Sequence, residues 1–427
     1  MKWKMLPFAK VAEVITGNTP SKKEPENYGY GIPWVKPHDL DTWQPITKTE
    51  ENLSEIGQKK SRLIPPGSVM VCCIGSIGKV GIAGTKLATN QQINSLIFKP
   101  EIEPKFGYYY CCHILPIFKS EARQAVISIL NKSNFEKITI PLPPLSEQRR
   151  IVEILDQADA LRRMRAEAYA KAERILPALF IKMFGDPATN PMGWEMLPIS
   201  DLAQVQGGLQ LTPKRENYPI TMPYLRVANI YRDKLALDEI KYIKVTKNEL
   251  ERIALQSDDI LMVEGHGNRQ EIGRCAIWDA SIQPCLHQNH LIRVRVDKTK
   301  AEPIYISAFI NSSGGREQLF RFGKTTSGLN TISVSNVRNT IIPLPPLTLQ
   351  KSYALQVQAA KDIQRQVDKQ REKIDKLFSC ILQRAFSGEL TAKWREAHMK
   401  ELLAEMEEQA KALNLRDNAD FQQLSLL

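Results

Sequence analysis

Pro141-Leu142-Pro143-Pro144-Leu145-Ser146-Glu147-Gln148-Arg149-Arg150-Ile151 is answered 202 residues later by Pro343-Leu344-Pro345-Pro346-Leu347-Thr348-Leu349-Gln350-Lys351-Ser352-Tyr353. Proline lacks an amide N–H and locks φ, so each run interrupts what precedes it and presets the start of a helix. In the first copy Ser146 is a fair N-cap and Glu147 favours the first turn. From there to Phe184 no glycine occurs, and Ile151, Leu155, Ala158, Leu161, Tyr169, Ala172, Leu176, Leu179 and Met183 recur at helical spacing, with Arg165 as a break. The second copy has Tyr353, Val357, Ala360, Ile363, Val367, Ile374, Leu377 and Ile381. Such a stripe, kept up over about five heptads, is coiled-coil periodicity. Gly185 and Gly388 stop the two helices. Either the helices pair with each other or each packs on its own domain; their matched lengths and places favour an antiparallel pair. At Pro177, where the second copy has Ser379, the first helix kinks or a new one begins.

The repeat extends upstream. Trp3-x-Met5-Leu6-Pro7 matches Trp194-x-Met196-Leu197-Pro198, Gly17 matches Gly208, and Pro33-Trp34-Val35-Lys36 matches Pro223-Tyr224-Leu225-Arg226. Ile77-Gly78-Lys79 matches Ile272-Gly273-Arg274, and Gln92 matches Gln288. Collinear matches in one order imply a tandem duplication of a unit of about 200 residues, longer than a solenoid repeat. The expected domains are therefore a mixed domain at 1–145, a central helix at 146–186, a second mixed domain at 187–347, a C-terminal helix at 348–390 and a helical tail at 391–427. The mixed domains read as α+β. Strands are expected at Ser68–Ile74, Ser95–Phe98, Ile260–Val263 and Leu291–Val296, and helices at Phe106–Ala125 and Ile304–Phe320.

With 427 residues, 43% hydrophobic and 25% charged, the chain can bury two or three domain cores. Seven cysteines without a Cys-x-x-Cys suggest neither a disulfide framework nor a zinc ribbon, and point to reduced thiols in a cytoplasm. No signal-peptide core or apolar run of about 20 residues is present. The formal charge is +11. Of this, +6 lies in residues 1–145 and +3 in 187–347, against +1 in each helical part. A polyanion partner for the mixed domains follows.

No catalytic constellation emerges. Gly75-Ser76-Ile77-Gly78-Lys79 lacks the spacing and the Ser/Thr of a P-loop. Cys285, His287 and His290 lack a second ligand cluster, and Asp258, Asp259 and Glu264 read as a turn before a strand rather than nuclease carboxylates. Polar loops rich in cations and amides recur instead. In the first domain the candidate DNA-binding residues are Lys22, Lys23, Lys36, His38, Lys79, Asn90, Gln91, Gln92, Asn131 and Lys132. In the second they are Lys214, Arg215, Arg226, His266, Asn268, Arg269, Gln270, Arg274, His287, Gln288, Asn289, His290, Lys324 and Thr325. Arg and Lys reach guanine O6/N7, Asn and Gln reach adenine N6/N7, and Lys, Ser and Thr serve phosphates. One such loop alone reads as solvated surface; recurrence at matched positions points to DNA.

The order of mixed domain, Pro-Leu-Pro-Pro-Leu-Ser-Glu-Gln-Arg-Arg-Ile, long helix ending Met183-Phe184-Gly185-Asp186, second domain, second Pro-Leu-Pro-Pro-Leu and second helix resembles the specificity subunit of type I restriction-modification systems. Gly17-x-Thr19-Pro20 and Ile32-Pro33-Trp34-Val35 resemble a target recognition domain of that family. The resemblance covers about residues 1–390. It implies two target recognition domains held on an antiparallel coiled coil with pseudo-two-fold symmetry, each reading half of an asymmetric bipartite double-stranded DNA site in DNA methylation and phage defence. It also implies docking of two methyltransferase subunits and, through them, restriction/translocase subunits. S-adenosylmethionine, ATP and Mg²⁺ would belong to those partners, and this chain would be non-catalytic. A related methylation-based defence system without cleavage is the alternative, and a stand-alone metal-dependent nuclease a distant one. A helix of ~38 residues at ~1.5 Å per residue spans ~57 Å, which limits the spacer such a pair can set. Only the glutamine of Ser146-Glu147-Gln148 is kept in Thr348-Leu349-Gln350.

Overall fold

The computed structural model describes residues 3–40, 44–122, 129–172, 175–326 and 329–415. The chain forms two compact units, Met1–Ala166 with Gln370–Leu427, and Glu167–Lys369.

In the first unit, Lys4–Pro7 pairs antiparallel with Thr139–Leu142, so that Met5 faces Pro141. The two short motifs repeated along the sequence are thus the two strands of one ribbon. A four-stranded antiparallel sheet follows in the order Ala12–Thr16, Ile93–Phe98, Val69–Cys72, Val80–Ile82. Its strand Val69–Cys72 is apolar throughout because successive side chains point to opposite faces and both faces are covered. Val69 and Val71 enter the core under the helix Pro104–His113, whereas Met70 and Cys72 enter a second core with Val35, Ile64 and Leu87. Each such side chain contributes about 1.5–3 kcal/mol of burial. In the second sheet Tyr28–Val35 runs parallel to Leu87–Thr89.

The second unit repeats this plan. Glu195–Pro198 pairs with Ile341–Leu344, with Met196 opposite Pro343. The four-stranded sheet is Ala203–Gly207, Leu291–Val296, Ile260–Val263, Cys275–Ile277. Ile260 and Met262 serve one core, Leu261 and Val263 another. Ile220–Leu225 runs parallel to Leu286–His287. This unit also carries two short hairpins, Ile230–Tyr231 with Lys234–Leu235, and Lys324–Thr326 with Leu329–Thr331. The helix expected at Ile304–Phe320 is two, Pro303–Asn311 and Ser313–Phe322, because Ser312 caps the second through the Gly315 amide. Likewise the expected Phe106–Ala125 is Pro104–His113 and Leu115–Ala122, with 123–125 outside the described residues.

The long helices are Leu145–Ala172, Ile175–Phe184 and the unbroken 41-residue Leu347–Ser387. Pro177 lies within Ile175–Phe184; residues 173–174, where the expected kink or new start would be read, lie outside the described residues. Within the first unit, Ile151, Val152 and Leu155 share a core with Phe378, Leu382 and Ala385, and Arg162 lies over the Phe378 ring. Within the second, Phe180 and Phe184 meet Tyr353 and Val357, both phenylalanines edge-on to Tyr353. Each pairing is antiparallel. The stripe differs from expectation in its middle: Leu161, Ile363 and Leu377 are exposed, whereas Phe378, Leu382 and Ala385 are buried. Beyond Gly388, helices Ala392–Ala397 and Met399–Ala412 pack on the first unit. No helix among the described residues is long and apolar enough to cross a membrane.

Candidate nucleic-acid interface

The frame that carries the candidate side chains recurs in both units through a shared set of backbone hydrogen bonds. Gly17 and Gly208 each lie against the parallel strand, where a Cβ would come within 2.3 Å of the Asn90 or Gln288 carbonyl. The next residues close the crossing, Asn18 N–H donating to the Thr89 carbonyl and Leu209 N–H to that of His287. Gly78 (φ +88°) and Gly273 (φ +70°) occupy matching left-handed turns that present Lys79 and Arg274. Cys72 N–H donates to the Lys79 carbonyl as Val263 N–H does to that of Arg274. Lys36 and Arg226, at the ends of matched strands, complete the set.

In the second unit Arg226, Val227, Ala228, Tyr231, His266, Arg274, Gln288 and His290 surround one open cleft of about 590 Å³. Arg274 donates to Glu271 at 2.7 Å and to the Val227 carbonyl at 3.3 Å, and its guanidinium lies 4.7 Å from the centre of the half-exposed Tyr231 ring. That hydrogen bond, against burial, holds the Glu271 carboxyl below its ordinary range. Arg226 is 2.7 Å from Glu239. His290 Nδ1 lies 3.3 Å from Glu264, whose carboxyl burial pushes up despite the imidazole. His266 Nδ1 accepts the Asn268 N–H at 3.0 Å, and Asn268 in turn accepts that of Gln270. Asn289 is half-buried beside the cleft residue Gln288.

In the first unit Lys36 is paired with Glu51 and sits 4.8 Å from the Trp34 ring centre. His38 lies 3.4 Å from Glu50. Gln92 donates to the Ile74 carbonyl at 3.3 Å, and the exposed Gln91 accepts from Thr19. Lys22, Lys23 and, in the second unit, Lys214 are exposed and make no ion pair among the described residues. Lys132 reaches Glu136 at 3.6 Å. Arg269 is exposed and donates to the Phe320 carbonyl, while Gln270 accepts from Arg316 at 2.6 Å. Lys324 and Thr325 belong to the strand Lys324–Thr326; their side chains lie outside the described residues.

Three expectations are corrected by packing. His287 is wholly buried, and burial together with Arg293 lowers its pKa to about 3, so it is a neutral core residue. Arg215 spends its guanidinium on Glu249 (3.0 Å) and on the Gln210 and Lys244 carbonyls. Burial pushes the Glu249 carboxyl up, but hydrogen bonds from Arg215 and Thr246 leave it below its ordinary range. Asn90 is buried and ties Gln92, donating to its side chain and accepting its N–H. Asn131, by contrast, stays exposed while its side-chain oxygen caps the helix Lys132–Lys137 by accepting the Asn134 N–H. The acidic partners Glu51, Glu239, Glu264 and Glu271, and the ring of Tyr231, were not foreseen. Glu271–Arg274 at i,i+3 was visible in the sequence, whereas the other pairs are joined by the fold. Asp259, considered as a metal ligand, holds Arg295 at 2.7 Å, and Asp258 holds Lys298 at 2.6 Å. Among the described residues no group of three His, Cys, Asp or Glu is placed to hold a metal.

The sequence model of the Type I restriction modification DNA specificity domain matches residues 1–174 and again 191–374. The type I restriction enzyme EcoKI specificity subunit of Escherichia coli K12 is 24% identical, over 92% of this chain and 90% of its own. The MjaIX specificity subunit of Methanocaldococcus jannaschii is also 24% identical, over 91% of this chain and 93% of its own. A chain solved in work on complex assembly and conformational transition of the type I R-M system shares the fold with a TM-score of 0.59 at 18% identity, covering 91% of this chain and 98% of that one.

Proposed function

The chain belongs to the type I restriction-modification DNA specificity family, and from that premise we propose that it reads an asymmetric, bipartite site on double-stranded DNA, one half-site per mixed domain. It is the non-catalytic, recognising member of its system. The observation that carries the bipartite reading is one hydrogen-bonded frame built twice with different side chains at equivalent places: Lys36 and Arg226, Lys79 and Arg274, Asn90 and Gln288. Two unlike readers in one chain fit a site without a palindrome, whereas a homodimer would mirror its own symmetry in the DNA.

The spacer helices supply the docking surface for two methyltransferase subunits, and through them for restriction/translocase subunits. Leu161 and Met164 in the first unit, and Leu355 and Ile363 in the second, are more than half exposed on those helices, an apolar display that a partner would cover. S-adenosylmethionine, ATP and Mg²⁺ are assigned to the partners, and methylation and phage defence in the cytoplasm to the assembled system. Methylation mapping with the cognate methyltransferase tests this reading. It requires modification of a split, non-palindromic motif; a continuous or palindromic motif would refute it.

A further inference from the structure

Resting on the reading of the second mixed domain as a DNA reader, we propose that its cleft between Arg226, Arg274, Gln288 and His290 takes a base-pair edge rather than a phosphate, and that the unpaired lysines outside it hold the backbone. Binding to phosphate depends on cationic charge that can replace condensed counterions. The cleft has little to offer of that kind, since both of its arginines are matched by carboxylates. Arg226 is matched by Glu239 and Arg274 by Glu271, each at 2.7 Å, and His290 lies 3.3 Å from Glu264. Arg232 adds a second, longer contact of 4.0 Å to Glu271. A phosphate entering would find both arginines of the cleft wall already engaged by carboxylates.

Pairing cancels charge but keeps directed hydrogen bonds, and it pins long side chains before DNA arrives. The Gln288 amide makes no hydrogen bond among the described residues, although it lines the cleft. The Glu239 side chain is 71% exposed beside Arg226. An arginine fork, a free amide and an exposed carboxylate are the groups that address guanine O6/N7, adenine N6/N7 and cytosine N4. The same division holds in the first unit, where Lys36, matched to Arg226, is paired with Glu51 while Lys22 and Lys23 stand exposed in the preceding turn.

The test uses the full chain assembled with its methyltransferase subunits, read by methylation of a randomised DNA library and by the salt dependence of DNA binding. Arg226→Ala should relax the second half-site at one or two positions, with discrimination falling roughly five- to a hundredfold, and should leave the slope of log K against log salt unchanged. Lys214→Ala should keep the motif and flatten that slope by about one unit. His290→Ala and Gln288→Ala lie on the cleft wall, carry no core packing, and should relax the same half-site even if Arg226→Ala fails to fold. An unaltered motif in all three cleft variants, or a flattened slope for Arg226→Ala, would overturn the base-edge assignment. Loss of the split motif in the wild-type complex would instead overturn the underlying reading of the chain.

Discussion

At the scale of single residues, His287 and the two repeated glutamines show how burial assigns roles. His287 has its pKa lowered from 6.5 to about 3 by burial and by Arg293. The folded state therefore binds fewer protons than the unfolded one between those values. Its contribution to stability is full above about pH 6.5 and is lost as pH falls toward 3, by on the order of 1.4 kcal/mol per pH unit. Denaturant midpoints measured at pH 7, 5 and 4 should fall less steeply for His287→Gln than for wild type; parallel curves would refute the assignment. Gln148 and Gln350 are the residues kept when the flanking motif diverged, and their geometry says why. Gln148 accepts the Glu103 N–H and donates to the Pro143 carbonyl, while Gln350 accepts the Glu302 N–H and donates to that of Pro345. Each stitches the proline run to the start of a packed helix. Gln350→Ala would strand a buried N–H and a buried carbonyl, and an unfolding free energy lower by at least about 2 kcal/mol is expected; a loss within error would mean that water replaces the amide.

Among the elements, the C-terminal arm is the one without a counterpart in the first copy. It fastens onto the first unit through Glu147, which is fully buried and accepts from Arg395 at 2.8 Å, Thr391 at 2.6 Å and Trp3 at 3.2 Å. Arg395 also donates to the Gly388 carbonyl and lies 5.0 Å from the Trp3 ring centre. Glu405 accepts the Ser146 N–H, and Leu413 joins the core. The second copy has Leu349 where the first has Glu147, and Leu349 packs on the second unit's own core. Removing one partner of a buried pair leaves the other charge desolvated. Arg395→Met should therefore cost about 3–5 kcal/mol in thermal or denaturant unfolding, and Glu147→Leu with Arg395→Met should recover most of it. If the double variant is no better than the single one, packing of the arm and not the ion pair holds it.

For the molecule as a whole, the helices are the parts whose length can be changed without touching a reader. Deleting one heptad from each, at matched positions in 145–172 and 347–387, is expected to alter the spacer tolerated between half-sites while leaving both half-site sequences intact. Sites selected by the shortened complex provide the measurement, and altered half-sites would contradict the division between spacer and readers. The duplication, the proline-initiated helices, the mixed domains and the concentration of charge on them were all legible in the chain. They arise from local steric and periodic preferences that recur wherever the same residues do. The α+β plan and the antiparallel helix pairs within each unit followed from these.

Which cations are free was not legible, because an ion pair such as Arg226–Glu239 depends on how a surface hairpin folds back and not on spacing. His287 lies in a polar string, His287-Gln288-Asn289-His290, yet a parallel strand pairing buries it while His290 stays exposed. Glu147 and Arg395 are 248 residues apart, and nothing local brings them together. The opening Pro-Leu-Pro-Pro-Leu run marks where each helix begins through the chemistry of proline. What each helix start then grips, a C-terminal arginine through Glu147 in one copy and its own core through Leu349 in the other, depends on burial and long-range contact, and so on the folded chain.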